Sequence, residues 1–166
     1  MSKLEKSIDV DVPVRTAYDQ WTQFEEFARF MEGVKEVRQL DDKRLFWRAE
    51  IAGREVQWEA EITQQVPDER IGWRSTSGAP NAGSVSFYPL GANQVRITLR
   101  LEIEPEGAAA KTADALGLLS RRIEGDLERF RKFVEERGRA TGGWRGEIAS
   151  GQVVRDDPAG RSQPGA

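Results

Sequence analysis

The side chains able to do chemistry in this 166-residue chain are set first by what is missing. It contains no histidine and no cysteine. The commonest general base and zinc ligand are therefore absent, and neither a Ser-His-Asp nor a Cys-His mechanism can be assembled from its residues. Among the groups that remain, those near the expected cavity are Tyr18, Ser75, Ser120 and the strand arginines Arg48, Arg74, Arg96 and Arg100. Serine is a weak nucleophile without a base. The period-two pattern puts the four arginines, with Glu50, Glu59 and Glu61, on the outer phase of their strands. Tyr88 is off-phase, so of the two tyrosines only Tyr18 is placed to reach inward. No residue is assigned a catalytic role, and no metal or cofactor is expected. Binding chemistry is better represented. Trp47, Trp58, Trp73 and Phe87 all fall on the apolar phase of consecutive strands. Wide aromatic walls suit a cavity for a flat or greasy guest. They suit an ordinary core as well, since Trp is highly buried on average.

The elements that would position these residues follow from periodicity. Leu4 to Val12 alternates as a strand, with Lys6 the one exception on its apolar phase. Pro13 is well placed as the first residue of a helix, whose apolar face is Val14, Ala17, Tyr18 and Trp21. Phe24, Phe27, Phe30 and Met31 give a second short helix, ended by Gly33. Six strands are then expected as a meander. Val34 to Leu40 is the first, but Val34, Val37 and Leu40 share no phase, so its inner face stays open. Arg44–Ile51 points Leu45, Trp47, Ala49 and Ile51 inward. Glu55–Val66 points Val56, Trp58, Ala60 and Ile62 inward. Arg70–Thr76 carries Ile71, Trp73 and Ser75, and a loop follows over Ser77–Ala82. Gly83–Tyr88 carries Val85 and Phe87. Gln94–Glu104 carries Val95, Ile97, Leu99, Leu101 and Ile103. A long helix ends at Arg137, with Leu116, Ser120, Ile123, Leu127, Phe130 and Val134 as its buried stripe and Asp126–Arg129 among the pairs of its outer face.

Composition narrows the function classes. With 25 basic and 28 acidic residues the net charge is −3, which argues against a nucleic-acid partner. No run approaches the roughly 20 apolar residues of a membrane span. The charged N-terminal stretch does not read as a signal peptide, so a cytoplasmic protein is expected. Residues 1–139 read as one ligand-binding domain. Residues 140–166 are Gly-rich and read as a largely disordered tail, in which Trp144 and Ile148 stand out.

The economical packing curls the antiparallel sheet around the long helix. Ala49, Ala60, Ser75 and Ser120 are small residues on the inner faces, and small residues opposite wide aromatic walls favour a cavity over a filled core.

The chain resembles the START-like, or helix-grip, superfamily. Within it the likeness is to the polyketide cyclase/dehydrase or coenzyme Q-binding START-domain group. It is carried by Val10-Asp11-Val12-Pro13 leading to Tyr18 and Trp21, by Trp47-Arg48-Ala49-Glu50-Ile51, and by Trp58-Glu59-Ala60-Glu61-Ile62. Pro67-Asp68-Glu69-Arg70-Ile71-Gly72-Trp73-Arg74-Ser75 and Gly125-Asp126-Leu127-Glu128-Arg129-Phe130-Arg131-Lys132-Phe133 complete it. The likeness runs from Lys3 to Arg139 and is specific for fold more than for function. It implies an α+β helix-grip fold: a curved antiparallel sheet of about seven strands around a long C-terminal helix, with two short helices after the first strand. It also implies a hydrophobic small-molecule partner (a lipid, an isoprenoid or quinone, or a polycyclic aromatic) held in an apolar cavity. Trp47, Ala49, Trp58, Ala60, Trp73, Ser75 and Phe87 would line the sheet side. Leu116, Ser120, Ile123 and Leu127 would line the helix side. Trp21, Phe27, Phe30 and Met31 would close and gate the mouth. The expected role is carrier, chaperone or sensor. The alternative is an aromatase/cyclase, which in this superfamily uses a cavity Arg with Tyr or Trp to polarise carbonyls and move protons. A protein partner on the mixed, charged outer face has no support in the sequence.

Overall fold

The computed structural model describes residues 2–51, 53–103 and 113–158, and for residues 2, 51 and 113–116 the backbone alone. Strand β1 (Ser2–Val10) leads into helix α1 (Val14–Trp21) and a 3₁₀ turn (Phe24–Arg29). The meander is β2 (Val34–Gln39), β3 (Arg44–Ile51), β4 (Arg54–Val66), β5 (Arg70–Gly78), β6 (Asn81–Gly91) and β7 (Gln94–Ile103). Helix α2 (Ala113–Arg137) follows, then two short strands, β8 (Glu147–Ala149) and β9 (Gln152–Arg155). The strand order is β1-β7-β6-β5-β4-β3-β2, with β8 joined to β4 and β9 to β8. This is the α+β helix-grip arrangement, with nine strands among the described residues instead of about seven.

Pairing of β1 with β7 brings the N-terminus beside the last meander strand. Asp9 lies opposite Arg96 and Glu5 opposite Arg100, and these pairs form ion pairs at 2.8 and 2.6 Å on the outer face. Lys6, the polar residue on the apolar phase of β1, is explained by the helix. Its Nζ reaches across to Glu124 of α2 at 2.6 Å.

Two bulges account for what alternation could not resolve. The β2–β3 register shifts between Val34 and Glu36. An extra residue reverses the side-chain phase, so Val34 and Val37 both pack inward although three apart. The β4–β5 register shifts between Ile62 and Gln64, and the odd-numbered Gln65 thereby turns inward, with 1% of its surface exposed. Pro13 lies just outside α1, its carbonyl accepting from Thr16 and Ala17 N–H. The loop expected over Ser77–Ala82 is a tight turn, because β5 runs to Gly78 and β6 starts at Asn81.

The core fills one end of the curl. Tyr18, Trp21, Phe24, Phe27, Phe30, Phe87 and Phe130 are buried there with Val85, Val95, Ile97 and Val134. Their rings meet edge-on or tilted at centroid separations such as 5.0 Å for Trp21–Phe130 and 5.4 Å for Tyr18–Phe87, the geometry that ring quadrupoles favour.

The expectation of a largely disordered segment from residue 140 does not hold for residues 140–158. Trp144 is 1% exposed and Ile148 fully buried. The Gln20 side chain clasps Thr141 through both amide atoms, at 3.1 and 2.8 Å. Arg145 bridges Asp19 and Asp68 at 2.6 and 2.7 Å. Glycine richness signals disorder only when no apolar anchor can pay for ordering, and here Trp144 and Ile148 supply the anchors.

Candidate functional site

At the other end of the curl the sheet and α2 stand apart. They leave a cavity of about 230 Å³ with an almost wholly apolar lining. Three rows build its walls. From β3 and β4 come Leu45, Trp47, Ala49, Trp58, Ala60 and Ile62; from β5 and β7, Ile71, Trp73, Leu99, Leu101 and Ile103; from α2, Leu119, Ile123 and Leu127. Trp21, Phe24, Phe27, Met31 and Val34 close it from α1, the 3₁₀ turn and the start of β2. Trp47 and Trp58 are directly opposite across β3–β4. Their rings stack on each other at 5.6 Å with planes 6° apart, and both indoles line the cavity. Trp47 also leans on Phe27 at 5.8 Å.

Of the residues expected to meet a ligand, Trp21, Phe27, Met31, Trp47, Ala49, Trp58, Ala60, Trp73, Ile123 and Leu127 all line this cavity. Four do not. Phe87 is buried in the filled end against Tyr18 and Trp21. Phe30 is packed between Phe27, Phe130 and Phe133 instead of gating the mouth. Ser75 Oγ accepts the Asn81 N–H at 3.0 Å and so organises the β5–β6 turn. Ser120 is half-buried beside the true helix stripe, which at this level runs through Leu119 and Ile123. The side chain of Leu116 lies outside the described residues.

The polar groups of the lining gather at the mouth. They are Glu32, Arg122 and Asp126, with Asn81. Asp126 is not on the outer face of α2: its side chain is only 13% exposed. One carboxylate oxygen, Oδ1, accepts the Glu32 N–H at 2.9 Å and an Arg129 N–H at 2.5 Å. Burial pushes its pKa above the usual carboxylate range, against the opposing hydrogen bond from Arg129. Arg129 also donates to the Phe30 carbonyl at 2.7 Å, and Arg122 to the Glu50 carbonyl at 2.6 Å. The two arginines thus pin the turn after the 3₁₀ segment and the end of β3 to the helix. Gly33 sits in that clasp with φ +86°; a Cβ there would lie 2.7 Å from the Glu50 oxygen and 2.8 Å from Arg122 Nη1. Sequence alternation could not find Arg122 and Asp126. A helical wheel could, because Leu119, Arg122 and Asp126 recur at three and four along one flank of the stripe.

The candidates for chemistry fare differently. Arg48 pairs with Glu36 and Glu55, Arg96 with Asp9 and Arg100 with Glu5, all outside the curl, and Arg74 is exposed. Tyr18 is fully buried in the filled end and does not line the cavity. Its hydroxyl lies by the Gln65 amide without a hydrogen bond of good geometry, and desolvation raises its pKa beyond the ordinary phenol range. It stays protonated.

Comparison with known proteins fits this geometry. A family model described as polyketide cyclase / dehydrase and lipid transport matches residues 10–131. An uncharacterised 17.2 kDa protein from the melC2-rnhH intergenic region of Streptomyces lincolnensis is 47% identical over 149 residues, covering 89% of this chain and 99% of that protein. Among solved structures, the Zhui aromatase/cyclase of Streptomyces sp. R1128 superposes with a TM-score of 0.69 at 17% identity, covering 86% of this chain and 98% of that one. A START superfamily protein of Mycobacterium smegmatis superposes at 0.63 and 17% identity, covering 81% and 95%. The curved sheet gripping α2 is the fold these structures share, and with the family model spanning most of its length the chain belongs to the polyketide cyclase / dehydrase and lipid transport family.

Proposed function

We propose that this protein binds a hydrophobic small molecule in the cavity between the sheet and α2 and carries, protects or senses it in the cytoplasm without transforming it. The observation that supports this reading is the lining itself. Its walls are aliphatic and indole surface, and its ionisable groups stand at the mouth, two of them engaged with the backbone of the clasp. General acid–base work needs a titratable group within hydrogen-bond reach of the reacting atoms. The deep part of the cavity offers none, and its nearest phenol, Tyr18, faces the opposite end.

The family description also covers cyclases, and one observation favours that second reading. Asp126 borders the cavity with a raised pKa, as a proton donor to a bound carbonyl would require. Native mass spectrometry of protein purified from its own host separates the two. An apolar molecule that co-purifies at one per chain and leaves unchanged is the expected result. Conversion of a poly-β-ketone surrogate, lost in Asp126→Asn, would replace the carrier reading with the cyclase.

A further inference from the structure

The strap that follows α2 fastens onto the end of α1. Gln20 clasps Thr141 through both amide atoms. The Trp144 N–H donates to Thr22 Oγ1 at 3.0 Å, and Arg145 reaches Asp19 at 2.6 Å. Residues 19, 20 and 22 are therefore held by the strap, while Trp21, among them in sequence, lines the cavity. The strap is tied to the sheet as well. Arg145 also holds Asp68 in the turn between β4 and β5, and Ile148 pairs with Gln65 of β4. The Gly151 N–H donates to the Thr63 carbonyl at 2.9 Å, and the Gly151 carbonyl accepts from Lys43 at 2.8 Å. One segment thus bridges the end of α1 to β4.

The residue it grips is a joint. Thr22 stands between the last residue of α1 and the 3₁₀ turn that opens at Phe24, and it is 1% exposed. Its hydroxyl donates to the Asp19 carbonyl at 2.6 Å and accepts from the Trp144 N–H and from Gln23 Nε2 at 3.1 Å. Beyond the joint come Phe24, Phe27 and Met31, which close the cavity. Closing segments turn on a few residues at the ends of elements, and Thr22 holds that place here. Between Arg137 and Glu147 the strap has no regular secondary structure. A segment ordered by a few anchors opens at a lower free energy than the body of the fold. The family match ends at residue 131, so the strap lies outside the part of the chain it covers.

We infer that the strap is a latch on the Thr22 joint, held by Trp144 and Arg145, that sets how fast a guest enters and leaves the cavity. This rests on the binding reading above and adds a control on access to the same site. The latch makes the same bonds whether the cavity is empty or filled. Loosening it raises the entry and exit rates together and leaves the affinity unchanged, because a change that favours neither state of occupancy shifts no binding equilibrium.

The test is stopped-flow measurement of naphthalene entry and exit, read by tryptophan fluorescence, in the full-length protein and its variants. Trp144→Ala removes the buried anchor. Arg145→Gln keeps that anchor and removes both ion pairs, so it serves if the first variant fails to fold. Val134→Ala weakens the filled end from α2 and leaves the bonds of the strap in place. Both rates should rise about ten-fold in Trp144→Ala and less in Arg145→Gln, with Kd within about two-fold of wild type. Arg145→Lys, which can still pair with one carboxylate, should bring the rates part of the way back. Val134→Ala should lower Tm and leave the rates unchanged. Equal rates in the wild type and the folded strap variants, or the same acceleration in Val134→Ala, overturn the latch and leave the binding reading standing. Absence of naphthalene binding to the wild type overturns the binding reading, and the latch with it.

Discussion

The two ends of the curled sheet use the same residue types to opposite effect. At the filled end, Tyr18, Trp21, Phe87 and Phe130 meet edge-on at 5.0–6.1 Å, and α2 presses Phe130 and Val134 among them. Trp144, from beyond the helix, is buried with them. At the open end, Trp47 and Trp58 stack face to face, neither is fully buried, and Ala49 and Ala60 stand beside them where larger side chains would fill the gap. Aromatic content therefore does not distinguish core from cavity. What distinguishes them is the partner: large side chains arriving from α1 and α2 at one end, small ones and an approaching helix flank at the other.

That contrast breaks most readily at the filled end. Trp144→Ala is expected to cost about 3–5 kcal/mol, a fall in Tm on the order of 10 °C, while naphthalene affinity measured below the transition stays near wild type. Ala60→Leu at the open end should do the reverse. Its added carbons enter the cavity, so chemical denaturation should show a gain of about 0.5–2 kcal/mol together with loss of binding. Trp58→Ala should fall between these, costing about 1–2 kcal/mol because the ring is only half-buried, with probe affinity reduced about ten-fold.

The smallest effects concern two carboxylates of opposite sign. Asp126 is desolvated and its folded pKa lies above its ordinary 3.8. The folded state then holds its proton longer than the unfolded one, so its contribution to stability falls as pH rises through the window from 3.8 to the raised value. Asp9 is lowered by its hydrogen bond to Arg96. Its contribution is present above the unfolded value and is lost as pH falls through the lowered folded value. Denaturation against pH in Asp126→Asn and Asp9→Asn should remove these slopes in opposite directions, with the exposed Asp9 pair giving the weaker change.

Much of the fold was legible because its cause is local. Strands β3 and β7, and β4 as far as Ile62, have apolar-polar alternation in sequence, and the stripe Ile123, Leu127, Phe130 and Val134 has strict helical spacing. The cavity walls Trp47, Trp58 and Trp73 were legible for the same reason. The misses are non-local. Bulges at Val34/Glu36 and Ile62/Gln64 arise from pairing with neighbouring strands; the broken phase of β2 leaves its inner face open without locating the bulge, and nothing in β4 alone marks the other. Phe87 and Trp73 share an inward phase, yet one is buried against Tyr18 and Trp21 while the other, half-buried over Gly83, also lines the cavity. Only the approach of other elements decides that. Trp144 and Ile148 stand out in the sequence, but the ordering around them does not, because their partners are distant: the Trp144 N–H donates to Thr22 after α1, and Ile148 pairs with Gln65 of β4.

The central claim is that the end holding Trp47 and Trp58 is a cavity for a hydrophobic small molecule. Titration of naphthalene against the wild type and Ala60→Leu, followed by tryptophan fluorescence, tests it most directly. Saturable binding at one site per chain, abolished in Ala60→Leu while that variant's Tm rises, is the expected result. Absence of binding to the wild type, or equal binding to both proteins, would contradict it.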